Sequence, residues 1–281
     1  MPDKFLYFNG DSFVKGVELG DDLIPEHPGY FTSLEAITKP AKLWMKNTYD
    51  MNHTYGKYRQ NNLTQIYQSE HEKSFATKVH KFSNISFLNK ALGGSSLDRI
   101  VRTSISDLHY IKKNNSQQVY AFIGTTDIFR SELPSEDSDG VDLYGFNNDW
   151  HSIATRYSTD NEPNLLKSVR EYKVRYEKNY HALVKFYLNV ILLQDFCYKN
   201  DIKLFWVQSN EDILTDIIVE SNYETRPELL WLKEYANFQY LLSMKHSALE
   251  LCNEPAYCVS GHYSEIVHDH MAQKIINILE K

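Results

Sequence analysis

The chain has 281 residues, 42% hydrophobic and 24% charged, a balance typical of a folded protein with a substantial core rather than of a disordered one. Its formal net charge is -7 and no lysine or arginine cluster stands out, which argues against a nucleic-acid-binding surface. No apolar stretch approaches the roughly 20 residues of a membrane span, and the first predicted strand begins at Phe5, so we expect neither a membrane anchor nor a secretory signal.

The patterning of apolar and polar residues predicts an α/β fold. Phe5–Phe8 is a short apolar run typical of a central strand, and Ser12 follows it on the turn Asn9-Gly10-Asp11. A serine at the carboxyl end of a buried strand lies where open α/β sheets place their sites, although it could equally cap the next helix. The next predicted elements are a helix opened by the capping box Thr32–Glu35 and ended or kinked by Pro40, loop or irregular helix at 46–68, a helix at about 70–82 and a strand at 85–88.

The middle of the chain continues this alternation. Ser95-x-x-Asp98 is a second capping box, opening a helix that carries apolar residues on one face. A third buried strand is predicted at 119–123, ending at Gly124-Thr125-Thr126-Asp127. Residues 131–163 are rich in polar residues and glycine and predict a long loop, which in a compact domain is usually functional or mobile. Within it, Trp150 and His151 would either line a sugar site or be ordinary loop residues.

The second half is predicted to be mainly helical. The predicted elements are a helix at 165–199, a fourth strand at 203–208, further helix at 211–252 that includes 229–242, and a last helix at about 264–279. No internal repeat is visible, so we predict one domain over residues 1–281, with a loop insertion at about 131–163 and helical insertions within about 165–250. The expected architecture is a three-layer α/β/α sandwich around a flavodoxin-like parallel sheet of about five strands.

Four segments at predicted strand ends carry small or polar residues, and together they resemble the SGNH/GDSL hydrolase superfamily. These segments are Gly10-Asp11-Ser12-Phe13, Asn89–Ser96, Gly124–Asp127 and Gly261–Glu265. Their order and spacing fit the family and bracket nearly the whole chain, so the combination is more specific than any one segment. Gly10–Leu19 and Gly93–Ile100 further resemble a subgroup often met in phage genomes.

The resemblance implies a serine esterase with Ser12 as nucleophile and His262 as general base. A free hydroxyl is a poor nucleophile at neutral pH, so an adjacent imidazole must accept its proton. The implied oxyanion hole consists of Ser12, Gly94 and Thr126, with Thr126 in place of the family's asparagine. The implied substrate is a small ester, such as an O-acetyl group on carbohydrate, and neither a metal nor an organic cofactor is implied.

The acid that the family places two or three residues before the histidine is missing, because Val259 and Ser260 occupy those positions. Removing the orienting acid of a triad costs about 10⁴ in turnover. Ser260 or a backbone carbonyl could orient His262 and leave a Ser–His dyad. A carboxylate from elsewhere could instead replace the acid, and the sequence does not choose among Glu265, Asp269 and a loop residue.

These departures also leave an alternative function. The chain could be a catalytically weakened or inactive structural or binding component with the SGNH fold, for example in a virus particle, with protein partners at its helical insertions. Its cysteines, Cys197, Cys252 and Cys258, are consistent with free thiols in a reducing compartment. We therefore expect a cytoplasmic or virion-associated protein.

Other candidate groups have simpler explanations. Cys258, His262, His268 and His270 form a run that could suggest a metal site. On one helix, however, His268 and His270 would point about 200° apart, so we expect no shared ion and a surface or packing role for His268. Arg130 could bind substrate, although a salt bridge or helix cap explains it more simply.

Overall fold

The computed structural model describes residues 3–128, 130–134, 150–153, 179–208, 226–238 and 241–281. The strands are β1 Lys4–Asn9, β2 Ser86–Asn89, β3 Gln118–Gly124, β4 Ser131–Pro134, β5 Trp150–Ile153, β6 Lys203–Gln208 and β7 Leu241–Ser243. Five of them form one parallel sheet in the order β2-β1-β3-β6-β7, and β4 pairs with β5 in an antiparallel ribbon. The predicted parallel sheet of about five strands is confirmed.

Ten α-helices are found in the described part of the chain. They are α1 Ser12–Lys15, α2 Lys39–Tyr49, α3 Thr54–Asn61, α4 Leu63–Lys73, α5 Phe75–Ser83, α6 Leu97–Asn114, α7 Asn179–Lys199, α8 Pro227–Tyr235, α9 Met244–Glu250 and α10 Glu265–Leu279. None of these helices combines the length and apolar character that crossing a membrane requires.

Helices cover both faces of the sheet, because successive strand residues point to opposite sides. Tyr7 and Trp206 belong to a core shared with α6, α7 and α8, whereas Leu6 and Phe122 belong to a core shared with α5, α9 and α10. A third, smaller core around Trp44 joins α2 and α4 to the loop that precedes α10. The architecture is therefore the predicted three-layer α/β/α sandwich.

The start of α2 differs from the prediction at the first capping box. Residues 32–35 form bends and a turn, and α2 begins at Lys39 with Thr38 as its cap, Oγ1 accepting from Ala41 N at 3.4 Å. Pro40 therefore lies in the first turn of a helix that it was expected to end. Proline is tolerated there because the first N–H groups of a helix have no intrahelical acceptor.

Other boundaries move for similarly local reasons. The predicted helix at 70–82 is divided between α4 and α5 at Ser74, whose hydroxyl caps α5. Ser96, rather than Ser95, caps α6 through Arg99 N at 3.2 Å. The predicted helix at 229–242 ends at Tyr235, and the chain then forms β7. A strand of three residues is too short to give a periodic signal.

Parts of the predicted insertions lie outside the described residues. The expected long loop at 131–163 contains the ribbon of β4 and β5, and its positions 135–149 and 154–163 are not described. Positions 165–178 of the expected long helix and 211–225 of the later helical region are likewise outside the description. The described end of the long helix, α7, is helical as predicted.

Two glycines allow α1 to lie against the carboxyl edge of the sheet. A Cβ atom built on either Gly10 or Gly124 would lie 2.4 Å from Cγ2 of Val14, far inside contact distance. The Val14 side chain therefore occupies the space above the ends of β1 and β3. This packing fixes the helix that carries Ser12.

We expect Gly124→Ala to destabilise the protein by about 1–3 kcal/mol, because the added methyl would overpack the contact with Val14. Urea denaturation measures this change. Gly93→Ala is the control, since its Cβ would lie 3.5 Å from the nearest atom, an ordinary contact distance. Equal effects of the two substitutions would contradict the packing explanation.

His268 joins α10 to α5. Its Nδ1 accepts a hydrogen bond from Phe75 N at 3.1 Å, and its ring stacks on the Phe75 ring with centroids 5.5 Å apart. The residue is buried, so the packing role expected for it is the one observed. Burial, reinforced by the positive charges of Lys78 and His262, lowers its pKa from 6.5 to about 3.

This shift predicts a loss of stability in acid. Protonation of His268 favours the unfolded chain, so its contribution is complete above pH 6.5 and declines as the pH falls towards about 3. We expect His268→Gln to flatten the pH dependence of the unfolding free energy across this range. Denaturation at a series of pH values tests this, with His109→Gln on the exposed side of α6 as control. An unchanged slope in His268→Gln would contradict the assignment.

Candidate active site

The carboxyl ends of β1, β2 and β3 meet at one edge of the sheet. Since β1 lies between the other two, the chain that leaves it enters the middle of this edge. Ser12 is the first residue of α1, and the cap of that helix is Asp11, whose carboxylate accepts from Phe13 N at 3.1 Å. Ser12 is thus not the helix cap, which was the simpler reading of its position.

A buried amide anchors the turn between β1 and Ser12. Asn9 Oδ1 accepts from Gly10 N at 2.9 Å, and Nδ2 lies 2.9–3.2 Å from four oxygen acceptors. These acceptors belong to Tyr7, Ile100, Thr103 and Ser104. The turn is therefore tied to α6 by polar contacts that water cannot replace without exposing the core.

His262 approaches Ser12 from a tight turn before α10. Cys258 N donates to the His262 carbonyl at 2.7 Å, and Gly261 takes a φ of +91°, a value that favours glycine. The imidazole rests on the Phe13 ring, with centroids 4.7 Å apart. Its Nε2 lies 2.9 Å from Ser12 Oγ. The structure thus brings the two predicted reactive groups into hydrogen-bond contact.

Two groups face the other ring nitrogen of His262. Ser260 Oγ lies 2.6 Å from Nδ1, and Oε2 of Glu18 lies 3.3 Å from it. Ser260 is exposed, whereas the Glu18 side chain is only 4% exposed. Glu18 follows α1 directly in the loop that leads to α2, so it belongs to the third option left open by the sequence, a loop carboxylate.

The other two carboxylates considered from sequence have a different partner. Glu265 Oε1 lies 2.8 Å from Lys78 Nζ, and Asp269 is ion-paired with the same ammonium. Both residues lie on α10, and Lys78 on α5, so these contacts join the two helices. Glu265 and Asp269 therefore stabilise the packing of α10 rather than orient the His262 ring.

The three predicted oxyanion donors, Ser12, Gly94 and Thr126, differ in their surroundings. Ser12 N is at the first turn of α1, where helix geometry provides no intrahelical acceptor. Gly94 takes a φ of +78°, and a Cβ built on it would meet nothing within 4 Å, so the space where its side chain would lie is open. The Thr126 hydroxyl accepts from Arg130 Nη1 at 3.1 Å and is hydrogen-bonded to the Asp11 carboxylate. Thr126 must turn away from Asp11 before it can donate to an oxyanion.

Arg130 helps to hold together the loops at this edge of the sheet. Its guanidinium lies 3.8 Å from Asp11 Oδ2 and reaches the Ser95 carbonyl, while its backbone N donates to Asp127 O at 3.1 Å. The salt-bridge explanation considered for Arg130 is thus observed. Substrate binding by Arg130 stays a prediction, and the side chains of Trp150 and His151 lie outside the described residues.

Several buried acids surround the site, and burial favours their neutral forms. Burial raises the pKa of Asp11, although the nearby Arg130 opposes this shift. Burial also raises the pKa of Glu70, and that of Asp21 to about 7, with Lys15 and Arg59 as their main opposing charges. For His262, burial alone would lower the pKa, but the contact with Glu18 and its charge, with the charges of Asp11 and Glu70, raise it.

Comparisons with known proteins add the following. No family model and no curated protein matches the sequence. A lipolytic protein of the G-D-S-L family from Desulfitobacterium hafniense DCB-2 is similar in structure, with 11% identity, a TM-score of 0.46, and coverage of 98% of this chain and 99% of that one. A carbohydrate esterase is 12% identical with a TM-score of 0.46, covering 100% of this chain and 69% of the other. An acetylxylan esterase from Geobacillus stearothermophilus, in a catalytic mutant, is 11% identical with a TM-score of 0.43, covering 98% and 94%. Similarities at this level carry no functional argument, and the function has to be inferred from the geometry of the site.

Proposed function

We propose that this protein is a serine esterase that works through an acyl-enzyme on Ser12. The observation that carries the proposal is the 2.9 Å contact between Ser12 Oγ and His262 Nε2, two groups separated by 250 positions in the chain. A serine–imidazole pair within hydrogen-bond distance is the arrangement that activates a hydroxyl at neutral pH. The placement of Ser12 at the carboxyl edge of the sheet, beside β3, is where parallel sheets bind their ligands.

The reaction follows from this pairing. Ser12 Oγ attacks the ester carbonyl carbon while His262 Nε2 takes the hydroxyl proton, giving a tetrahedral oxyanion. The oxyanion collapses, the bond to the alcohol oxygen breaks, and His262 returns the proton to that alcohol. Water then attacks the acyl group with His262 as base, releasing a carboxylic acid and regenerating the serine. The amides of Ser12 and Gly94 are the proposed main stabilisers of the oxyanion.

Thr126 is the proposed third donor, and its present contacts make it a weak one. Its hydroxyl is held by Asp11 and Arg130, so donation to an oxyanion would cost a buried hydrogen bond. Removal of one oxyanion donor lowers turnover by roughly 10²–10³. We therefore propose that the enzyme relies on backbone amides and turns over more slowly than one with a free side-chain donor.

The substrate class proposed is a small carboxylic ester, with O-acetyl groups on carbohydrate as the form implied by the resemblance to SGNH hydrolases. Ser12 is itself only 8% exposed, which favours a short acyl group that can reach it. The alternative, an inactive structural component such as a virion protein, shares the fold and differs in the reactivity of the serine. The test below separates the two.

Covalent labelling with a fluorophosphonate should modify the wild-type protein at a single serine. Ser12→Ala should abolish the labelling, and His262→Gln should slow aryl-acetate turnover by roughly 10⁴- to 10⁶-fold, since the pair acts as a unit. Mass spectrometry of the labelled peptide and kinetics with p-nitrophenyl acetate provide the measurements.

Ser86→Ala, on the exposed edge strand β2, is the matched serine control and should label like the wild type. A wild type that is not labelled would argue for a structural component and against the esterase. Labelling that survives Ser12→Ala, or turnover unaffected by it, would exclude Ser12 as the nucleophile. The proposed carbohydrate substrate is tested separately, by comparing the hydrolysis of acetylated xylo-oligosaccharides with that of p-nitrophenyl acetate.

A further inference from the structure

We propose that Glu18 is the positioning acid of this site, taking the role of the carboxylate that is missing before His262. This inference rests on the proposed esterase function and names a residue that acts through His262. Glu18 Oε2 lies 3.3 Å from His262 Nδ1 as an ion-pair contact, and in the described part of the chain no hydrogen bond reaches this buried oxygen. The buried carboxylate is thus directed at the imidazole.

The two groups that face Nδ1, Glu18 and Ser260, differ in whether they can fix the tautomer of the His262 ring. For His262 to accept the proton of Ser12, Nε2 must be unprotonated and Nδ1 must carry the hydrogen. A carboxylate can only accept, so Glu18 selects this tautomer. The Ser260 hydroxyl can donate as well as accept, so it is compatible with either tautomer and selects neither. The shorter contact with Ser260 is therefore not the one that sets the state of the ring.

The backbone of Glu18 supports the assignment. Glu18 takes a φ of +74°, in the region that glycine occupies without strain and other residues rarely adopt. Such conformations persist where the surrounding structure enforces them, and they concentrate at functional sites. Here the chain first ends α1 at Gly16, with a φ of +84°, and then turns again at Glu18. A glycine at position 18 would fit the turn but would present no carboxylate to His262.

A second contact holds the turn in place. Glu18 N donates to Glu70 Oε1 at 3.1 Å, which ties the loop to α4. The other oxygen of Glu70 lies 3.8 Å from Lys15 Nζ, on α1. Glu18 is thereby fixed between the helix that carries the nucleophile and the helix packed beneath it, which leaves its carboxylate little freedom to leave the imidazole.

The charges around His262 also favour this role. The titratable groups that act on its ring come from each surrounding segment, namely Asp11 before α1, Glu18 and Asp21 after it, Glu70 on α4 and His268 on α10. Glu18 is the one among them in direct contact with the ring. Its contact with the ring and its charge are the largest effects that raise the pKa of His262. The same interactions would stabilise the imidazolium that forms when Ser12 gives up its proton.

Two substitutions distinguish the contribution of Glu18 to catalysis from that of Ser260. Glu18→Gln keeps the size and the strained backbone but removes the charge, and we expect kcat for p-nitrophenyl acetate to fall by about 10⁴-fold, as for an acid-to-amide change in a triad. KM should change less than threefold, because Glu18 does not reach the substrate. Ser260→Ala should stay within about fivefold of the wild-type kcat, since it removes neither charge nor tautomer selection.

The pH profile provides a readout that a purely structural role would not move. Activity requires neutral His262, so kcat/KM falls as the pH drops through the pKa of that residue. Since Glu18 raises this pKa, Glu18→Gln should move the acid limb to lower pH, while Ser260→Ala should leave it in place. A Glu18→Gln enzyme within fivefold of wild type, or with an unmoved limb, would overturn the proposal. A larger loss in Ser260→Ala than in Glu18→Gln would do the same.

A third variant serves as the control for a loss of folding. Glu18→Gly relieves the positive φ, so its thermal midpoint should equal or exceed that of the wild type while kcat falls as in Glu18→Gln. A kcat close to wild type in this variant would also overturn the proposal.

NMR titration of the His262 ring separates this proposal from the esterase function, because it needs no turnover. The wild type should show Nδ1 protonated and a pKa above that of Glu18→Gln. If the ring behaves in this way but the wild type is not labelled by a fluorophosphonate, the esterase function fails while the Glu18–His262 pairing stands. An identical His262 pKa in wild type and Glu18→Gln, in a protein that is labelled, removes Glu18 from the site and leaves the esterase intact.

Discussion

The parallel pairing of β1 along both of its edges is the constraint on which the candidate site depends. β1 is hydrogen-bonded to β2 through residues 5–8 and to β3 through residues 4–9. Its last four residues, Leu6–Asn9, are completely buried. A shift of register by one residue would exchange the two faces, so that each side chain would meet the core packed around its neighbour, and the strand is therefore held at one position. Because Ser12 follows the end of β1 by only three residues, the position of Ser12 is fixed as well.

This rigid frame surrounds a cluster of buried acids. Asp11, Glu18, Asp21 and Glu70 are all nearly inaccessible, and the cations that approach them, Arg130, Arg59 and Lys15, do so at 3.5–3.8 Å. Burying carboxylates costs free energy unless they are paired, so a structure selected for stability alone would avoid this arrangement. Its electrostatic effect is to favour a positively charged imidazole at His262. Under the proposed function, that is the charge that forms during attack by Ser12, so the surrounding groups are already arranged for it.

The sequence was sufficient for the elements that give strong local signals. Buried strands of a parallel sheet are continuous apolar runs between turns, and β1, β3 and β6 were therefore predicted close to their observed limits. The pairing of Ser12 with His262 was also predicted, because the resemblance to SGNH hydrolases that four short motifs carry implies it. β7 was missed because three residues carry no period, and Pro40 was misread because a proline can open a helix as well as end one.

Glu18 was missed for a different physical reason. Its role depends on a positive φ, on a hydrogen bond to Glu70 fifty-two positions away, and on the approach of His262 from the other end of the chain. None of these has a periodic or local signature. The sequence offered one signal, namely that Glu18 is a single acid between the apolar residues Val17 and Leu19. A charged residue that is buried among apolar ones needs a polar or charged partner.

The order of the two reactive groups along the chain has a consequence for biosynthesis. The Ser12 hydroxyl is synthesised first, and the imidazole proposed to activate it follows 250 positions later. A nascent or truncated chain therefore carries an ordinary, unreactive alcohol, whatever part of the sheet has already formed. Under the proposed function, hydrolytic competence would arise only after His262 has been synthesised and has docked beside Ser12, so activity would report that these two distant segments have come together.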